Sequence, residues 1–438
     1  MIKKVIKTII LILAIIGFAL GISMAVKKSI PKNNQKKINE NIFDALQQKE
    51  AEVTSFYTYG RAINISGKID NIKKDNFESA KLVIKDGKEY EKIYKLDYEF
   101  DKDTLIFSSN EEINSGIILD NLDFGKYYII LRIKMNNSVN PKLYAFKNTS
   151  NQENIKYYSI TKNNENKGIE IKFDTTTYGK TDYTYLSVNV NKETLPEDVY
   201  DIVIDAGHGG KDSGEKKASD TEADIVLGYA KKIKEYLEKE GLKVKLTRDD
   251  ENTDDYTSTN MYDENGRITI ACESKAKYML SLHINNGFDN LRGLEIYAPC
   301  KSDLKFAETL SNAIVNNSSL EYSNNNSFKK IDGVYVRNFT KNVIKEFENT
   351  ANKKGYAPYN ITIDTPYLYT IREVGGVATN AYVDGRNTAY EANKYYKSNQ
   401  GIECYQIELG YIKNDLDIIK NEQDAISNAI VSAIKENI

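Results

Sequence analysis

Histidine is the residue this chain has least of among those that do chemistry: its 438 residues contain two, His208 and His283. Cysteine is nearly as scarce. Cys272, Cys300 and Cys404 are odd in number, far apart and without a Cys-x-x-Cys pair, which excludes a disulfide framework and a thiolate zinc site. All three are expected to be buried small apolar side chains. Charge of one sign is lacking too, with 60 basic against 63 acidic residues and a net charge of −3, so nothing recommends a nucleic-acid partner. The glycine-rich turn Gly207-His208-Gly209-Gly210 is not followed by Gly-Lys-Ser/Thr, which argues against a phosphate loop. What remains is a globular composition, 40% hydrophobic and 28% charged, on a chain long enough for two folded domains.

A basic N-terminus leads into an uncharged apolar run over residues 8–26, followed by Lys27-Lys28. That length reads as a transmembrane helix, a retained anchor over residues 1–28 that leaves the rest of the chain outside the cell membrane. Ser23-Met24-Ala25 is small-x-small, so secretion after signal cleavage is the alternative. Residues 29–52 are a polar linker, closing with a short amphipathic helix around Ile42 to Leu46. Between residues 53 and 195 short alternating segments, such as Lys81-Leu82-Val83-Ile84-Lys85 and Tyr185-Leu186-Ser187-Val188-Asn189-Val190, are separated by turn signals, with no long helical pattern. They predict an all-β immunoglobulin-like sandwich, without histidine or cysteine, that folds independently and is dispensable for whatever chemistry the rest of the chain performs. Its tyrosines are good strand residues, and a glycan-binding face is the alternative use for them.

From residue 197 to 438 strand and helix patterns alternate, which predicts an α/β domain, a mixed sheet flanked by helices. Each histidine ends an apolar run, Ile202-Val203-Ile204-Asp205-Ala206 before His208 and Tyr278-Met279-Leu280-Ser281-Leu282 before His283. In open α/β sheets ligands collect at the carboxyl ends of strands. Glu222 opens the next predicted helix, with Val226, Tyr229, Ala230, Ile233 and Leu237 on one face and Gly241 placed to end it. Two imidazoles, one carboxylate and a fourth position left for water form a catalytic zinc pattern. On the residues alone, two hydrogen-bonded histidines and an unrelated carboxylate remain the competing reading.

The local wording goes further. Asp205-Ala206-Gly207-His208-Gly209-Gly210, Asp212-Ser213-Gly214, Glu222, Thr247-Arg248, Ser281-Leu282-His283-Ile284-Asn285, Gly293-Leu294-Glu295 and Ile407-Glu408-Leu409-Gly410-Tyr411-Ile412-Lys413-Asn414 resemble, in order, the zinc-dependent N-acetylmuramoyl-L-alanine amidases of the amidase-3 family. The resemblance covers residues 200–438. It implies Zn2+ held by His208, Glu222 and His283, with Glu408 as the catalytic carboxylate. It also implies peptidoglycan as substrate, cut at the amide between N-acetylmuramic acid and L-alanine. Zinc would lower the pKa of a bound water towards about 7, and Glu408 would take that water's proton and return it to the leaving amine.

Asp205 and Asn285 are candidates for orienting the imidazoles, Asn285 also for substrate contact, with turn and strand-end roles as their alternatives. Arg372 is a candidate for a stem-peptide carboxylate, with a surface salt bridge as its alternative. Residues 320–402 exceed what a compact member of the family needs. Helical character at residues 342–352 there predicts either a lid bearing Glu346 and Glu348, at which an activating protein partner would dock, or a rigid wall of the glycan groove. The competing functions are a zinc peptidase on stem peptides and a catalytically silent wall-binding protein.

Overall fold

The structure, a computed structural model, describes residues 41–109, 117–150, 154–160, 165–249, 265–300, 303–355, 361–363, 365–375 and 401–438. Among them no helix is long and apolar enough to cross a membrane. The longest, Glu222–Lys239, has 18 residues and a charged face. This corrects the single-pass membrane placement expected from the sequence: the apolar run at 8–26 lies outside the described residues, and no finding supports anchoring.

Residues Ile42–Ile438 form one compact unit built on two main cores. The N-terminal part is strand-rich. One sheet orders Phe146–Asn148, Ala51–Tyr59, Ala62–Ile69, Thr104–Ser108 and Asp97–Asp101, and a second orders Ile155–Ile160, Asn166–Tyr178, Thr181–Lys192, Gly125–Met135, Phe77–Asp86 and Glu91–Lys95. Period-two alternation sends Ile65 and Phe107 of the first sheet and Leu82, Leu131 and Val188 of the second into a shared core. The helix Ile42–Ala45 packs Ile42 and Phe43 against Val83, Ile130 and Tyr185. The closing helix of the expected linker is therefore part of this strand-rich body.

The C-terminal part is an α/β sheet of seven strands: β1 (Ile202–Ala206), β2 (Val244–Leu246), β3 (Tyr278–Asn285), β4 (Glu295–Tyr297), β5 (Lys329–Ile331), β6 (Val334–Tyr335) and β7 (Glu403–Tyr411). Their order is β2-β1-β3-β7-β4-β6-β5. The first four are mutually parallel, and β4 runs antiparallel to β7, so the sheet is mixed. β1 and β7 are buried along their whole length and β3 at all but its last residue, as central strands covered on both faces must be. On one face lie α1 (Glu222–Lys239), and on the other α2 (Arg267–Glu273); α3 (Lys305–Asn316) joins α1. Beyond them come α4 (Lys341–Lys354), α5 (Tyr369–Val374) beside α2, α6 (Leu416–Asn421), and α7 (Gln423–Asn437) beside α1. Thr221 caps α1 by accepting a hydrogen bond from the Asp224 backbone N–H (3.2 Å), which fixes Glu222 as the first helical residue at the carboxyl edge of the sheet. All three cysteines are buried and free.

The two parts meet at a hairpin tip. Gly60, between strands Ala51–Tyr59 and Ala62–Ile69, has φ of +56°, and a Cβ there would lie 2.5 Å from Glu403 Cγ. Its neighbour Arg61 is buried, donates from its backbone N–H to Glu403 (3.3 Å) and from its guanidinium to the Tyr158 carbonyl (2.8 Å).

Candidate metal centre and active site

His208 follows β1, Glu222 opens α1 and His283 lies near the end of β3, so three separate elements deliver one side chain each to the carboxyl edge of the sheet. The His208 Nε2 to Glu222 Oε1 and His283 Nδ1 to Glu222 Oε1 separations are both 3.0 Å, and His208 Nε2 to His283 Nδ1 is 3.2 Å. Glu222 is buried and its carboxylate is further aimed by the Ile284 N–H on Oε1 (2.8 Å) and the Glu215 N–H on Oε2 (3.0 Å). Burial would raise its pKa, but the bonds to His208 and His283 prevail and hold it far below the usual carboxylate range. For His208 burial opposes the charge, and the carboxylates of Glu222 and Asp212 outweigh it, raising the imidazole to about 9.

The loop around His208 is held by charged groups. Asp212 Oδ2 meets His208 Nδ1 at 2.9 Å, which turns Nε2 toward Glu222. His208 itself has φ of +59°, a conformation that L residues rarely adopt, and Arg267 Nη2 donates to its carbonyl (2.8 Å). Arg248 donates to the carbonyls of Ala206 (2.9 Å) and Gly207 (3.0 Å). Gly207 has to be glycine because any Cβ there would run into the His283 ring.

The register of β3 against β7 pairs His283 with Glu408, and that of β4 against β7 pairs Glu408 with Glu295. Glu408 is buried. Burial pushes its carboxyl up to about 7, helped by the Glu222 charge and opposed by His283 and by the Gln406 amide, whose Nε2 donates to Glu408 Oε1 (2.7 Å).

The remaining expected residues lie in other networks. The Asp205 carboxylate accepts from Thr247 (2.6 Å) and Ser281 (2.5 Å) and pairs with Arg267 (3.3 Å), so it reaches His208 through the arginine that holds the loop. Asn285 Nδ2 donates to Glu295 (3.2 Å). Arg372 is buried, with its guanidinium bound to Glu373 (3.0 Å) and to the carbonyls of Pro366 (3.1 Å) and Tyr367 (2.8 Å). Helix α4 packs Val343, Ile344 and Phe347 against Phe339, while Glu346 and Glu348 are exposed. The sequence assigned no role to Asp212, Arg248, Arg267 or Gln406, although Asp212 and Arg248 stand in the motifs that carry the family resemblance. Asp212 was within reach, four residues after His208, whereas the partners of both arginines are backbone carbonyls and a carboxylate distant in sequence.

The donor set suits a zinc ion. Four ligands at about 2.0–2.1 Å in a tetrahedron stand about 3.3 Å apart, and the three donor atoms form a triangle with sides of 3.0, 3.0 and 3.2 Å. They make up the one group of three metal-ligating side chains among the described residues.

A mixed α/β sheet with a His–Glu–His cluster at its carboxyl edge offers three side chains that could hold a metal ion where such sheets bind ligands. The N-acetylmuramoyl-L-alanine amidase (amidase-3) family matches residues 202–438, more than half of the sequence, and the chain belongs to that family. It is 31% identical over 90 residues to the germination-specific N-acetylmuramoyl-L-alanine amidase of Bacillus subtilis (19% of this chain, 38% of the relative). It is 36% identical over 128 residues to the probable cell wall amidase LytH of Staphylococcus aureus (28% of this chain, 39% of the relative). The chain thus spans less than two-fifths of the length of these curated relatives. Among solved structures, the amidase AmiC2 of Nostoc punctiforme matches with a TM-score of 0.33 and 22% identity, over 54% of this chain and 94% of that one.

Proposed function

We propose that this chain is a zinc-dependent N-acetylmuramoyl-L-alanine amidase, a hydrolase that cuts peptidoglycan between the lactyl group of N-acetylmuramic acid and L-alanine. The observation that carries the reading is the triangle of His208, Glu222 and His283, with Glu408 in register beside His283, in a chain of this family. His208, Glu222 and His283 would hold the metal. When bound, zinc supplies a polarised carbonyl and a water that ionises near neutral pH.

Each protein group has a defined task. Asp212 keeps a proton on His208 Nδ1 and frees Nε2 as a donor of electrons. Arg248 and Arg267 fix the loop carbonyls, so the imidazole position does not drift. A carboxyl near 7 is half-ionised at neutral pH, so Glu408 can accept a proton from water and pass it to the departing amine. Its second oxygen, which Gln406 leaves uncommitted, is the acceptor. Asn285, through Glu295, is read as a wall of the substrate cleft, and the exposed side of α4 as the place where a protein partner would act. Stripping the metal with a chelator should abolish the release of new L-alanine amino ends from purified wall, and stoichiometric zinc should restore it. Full activity in the stripped chain would refute the reading.

A further inference from the structure

Phe288 is the most exposed aromatic ring among the described side chains, at 82%. It lies five residues beyond His283, in the loop leaving the carboxyl end of β3. An exposed apolar side chain on a loose loop carries little information. This loop is pinned on both sides of the ring. Ahead of it, the Asn286 N–H donates to Asn285 Oδ1 (2.9 Å) and the Gly287 N–H to Asn286 Oδ1 (2.8 Å). Behind it, the Leu291 N–H returns to the Phe288 carbonyl (3.0 Å).

Both neighbouring loops of the site hold the same segment. Asn286 Nδ2 donates to Glu215 (2.7 Å), whose own N–H donates to the Glu222 carboxylate (3.0 Å). From the loop after β7, Lys413 Nζ spans the ring's position by donating to the Gly287 carbonyl (3.3 Å) and the Asp289 carboxylate (3.1 Å). Asn414 Nδ2 adds bonds to the carbonyls of Asp289 (2.9 Å) and Leu291 (2.6 Å). The backbone under Phe288 is therefore tied to the loop that precedes Glu222 and to the loop that follows Glu408, while the ring has little protein to cover it. A flat apolar face on a braced rim, flanked by the charged ends of Asp289 and Lys413, matches a pyranose ring. Its C–H bonds lie against the aromatic face and its hydroxyls reach the polar groups at the edge.

We propose that Phe288 is a stacking platform for a sugar ring of the glycan strand, placing the muramyl lactyl amide over the metal centre. The proposal rests on the amidase reading above, and its test is separable from that reading. The chain contains no tryptophan, so Phe288→Trp introduces a single indole at the platform, excited selectively at wavelengths the tyrosines do not absorb. Titration with peptide-free strands of alternating N-acetylglucosamine and N-acetylmuramic acid should give a saturable change in its emission. Free stem peptide should give none. A response to the peptide but not to the strands, or to neither, overturns the proposal whether or not the chain proves to be an amidase. On intact wall, Phe288→Ala should raise KM by roughly 10-fold, a loss typical of one apolar contact, while Phe288→Tyr restores it. An unaltered KM in Phe288→Ala also overturns it. Failure of the amidase reading alone would appear as missing L-alanine ends with the fluorescence response intact.

Discussion

Gln406 donates a 2.7 Å hydrogen bond to Glu408 from two residues earlier on the same strand and the same face of the sheet. The Thr370 hydroxyl donates to Gln406 Oε1 (3.4 Å), which sets the amide so that its nitrogen faces the carboxylate. Through this pair one oxygen of Glu408 is held by the protein.

Removing that donor has a signed consequence. The bond lowers the pKa of a carboxyl that burial has already pushed up to about 7, so Gln406→Leu raises it further. The base works only when deprotonated, so the acid limb of kcat/KM against pH should move to higher pH, with the largest losses below neutrality. A limb that stays in place would remove Gln406 from the catalytic machinery. Glu408→Gln should retain metal and fold and lose about 10²–10⁴-fold in turnover.

Metal binding should release a proton. The metal-free His208 has a pKa near 9, above its ordinary 6.5, so it is protonated at neutral pH and must become neutral to bind zinc. Zinc affinity should therefore climb by up to about tenfold per pH unit as pH rises towards 9 and level off above it. The sign for metal-free stability is opposite: the raised pKa contributes fully below 6.5 and is lost as pH rises through 9. Calorimetry in buffers of different ionisation enthalpy reads the proton directly.

With two histidines in the chain, no other imidazole can replace a lost ligand. His208→Ala and His283→Ala should each bring bound zinc from one equivalent towards none. Asp212→Asn, which leaves the ligands in place but weakens the hold on His208 Nδ1, should cost about 10–100-fold in affinity. Elemental analysis after dialysis separates the two classes, and full zinc in a His208→Ala, His283→Ala double variant would contradict the site.

The hairpin tip at Gly60 should matter for stability although it lies in the other part of the chain. Gly60→Ala combines a positive φ with a contact on Glu403 and should cost about 1–3 kcal/mol, seen as a lower Tm. Burial raises the Glu403 carboxyl to about 6, so its contribution is present below 4.5 and lost as pH rises through 6, and Glu403→Gln should flatten that dependence. A fragment starting at Glu197 uncovers Glu403 and should melt earlier while keeping the metal site.

The helices and strands that place the site were legible because their signals are local. Apolar runs ending in Gly-His or His-Ile-Asn gave β1 and β3, and the 3.6-residue spacing from Val226 to Leu237, with Gly241 beyond, gave α1 to within a residue. His208, Glu222 and His283 were legible as a ligand set only together with the family wording, since spacing alone cannot bring three elements to one point. The seat of Arg372 was not legible, because its partners are a buried neighbour and two loop carbonyls that only the folded chain assembles. Nor was the Gly60–Glu403 contact, which joins residues more than 300 positions apart through backbone shape rather than a motif.

The central claim is the bond that is cut. Mass spectrometry of purified peptidoglycan digested by the zinc-loaded chain should show intact stem peptides with free L-alanine amino ends and glycan strands with unsubstituted lactyl groups, both formed at least about 10²-fold more slowly with Glu408→Gln. Stem peptides shortened at an internal bond, or no products from the zinc-loaded chain, would contradict it.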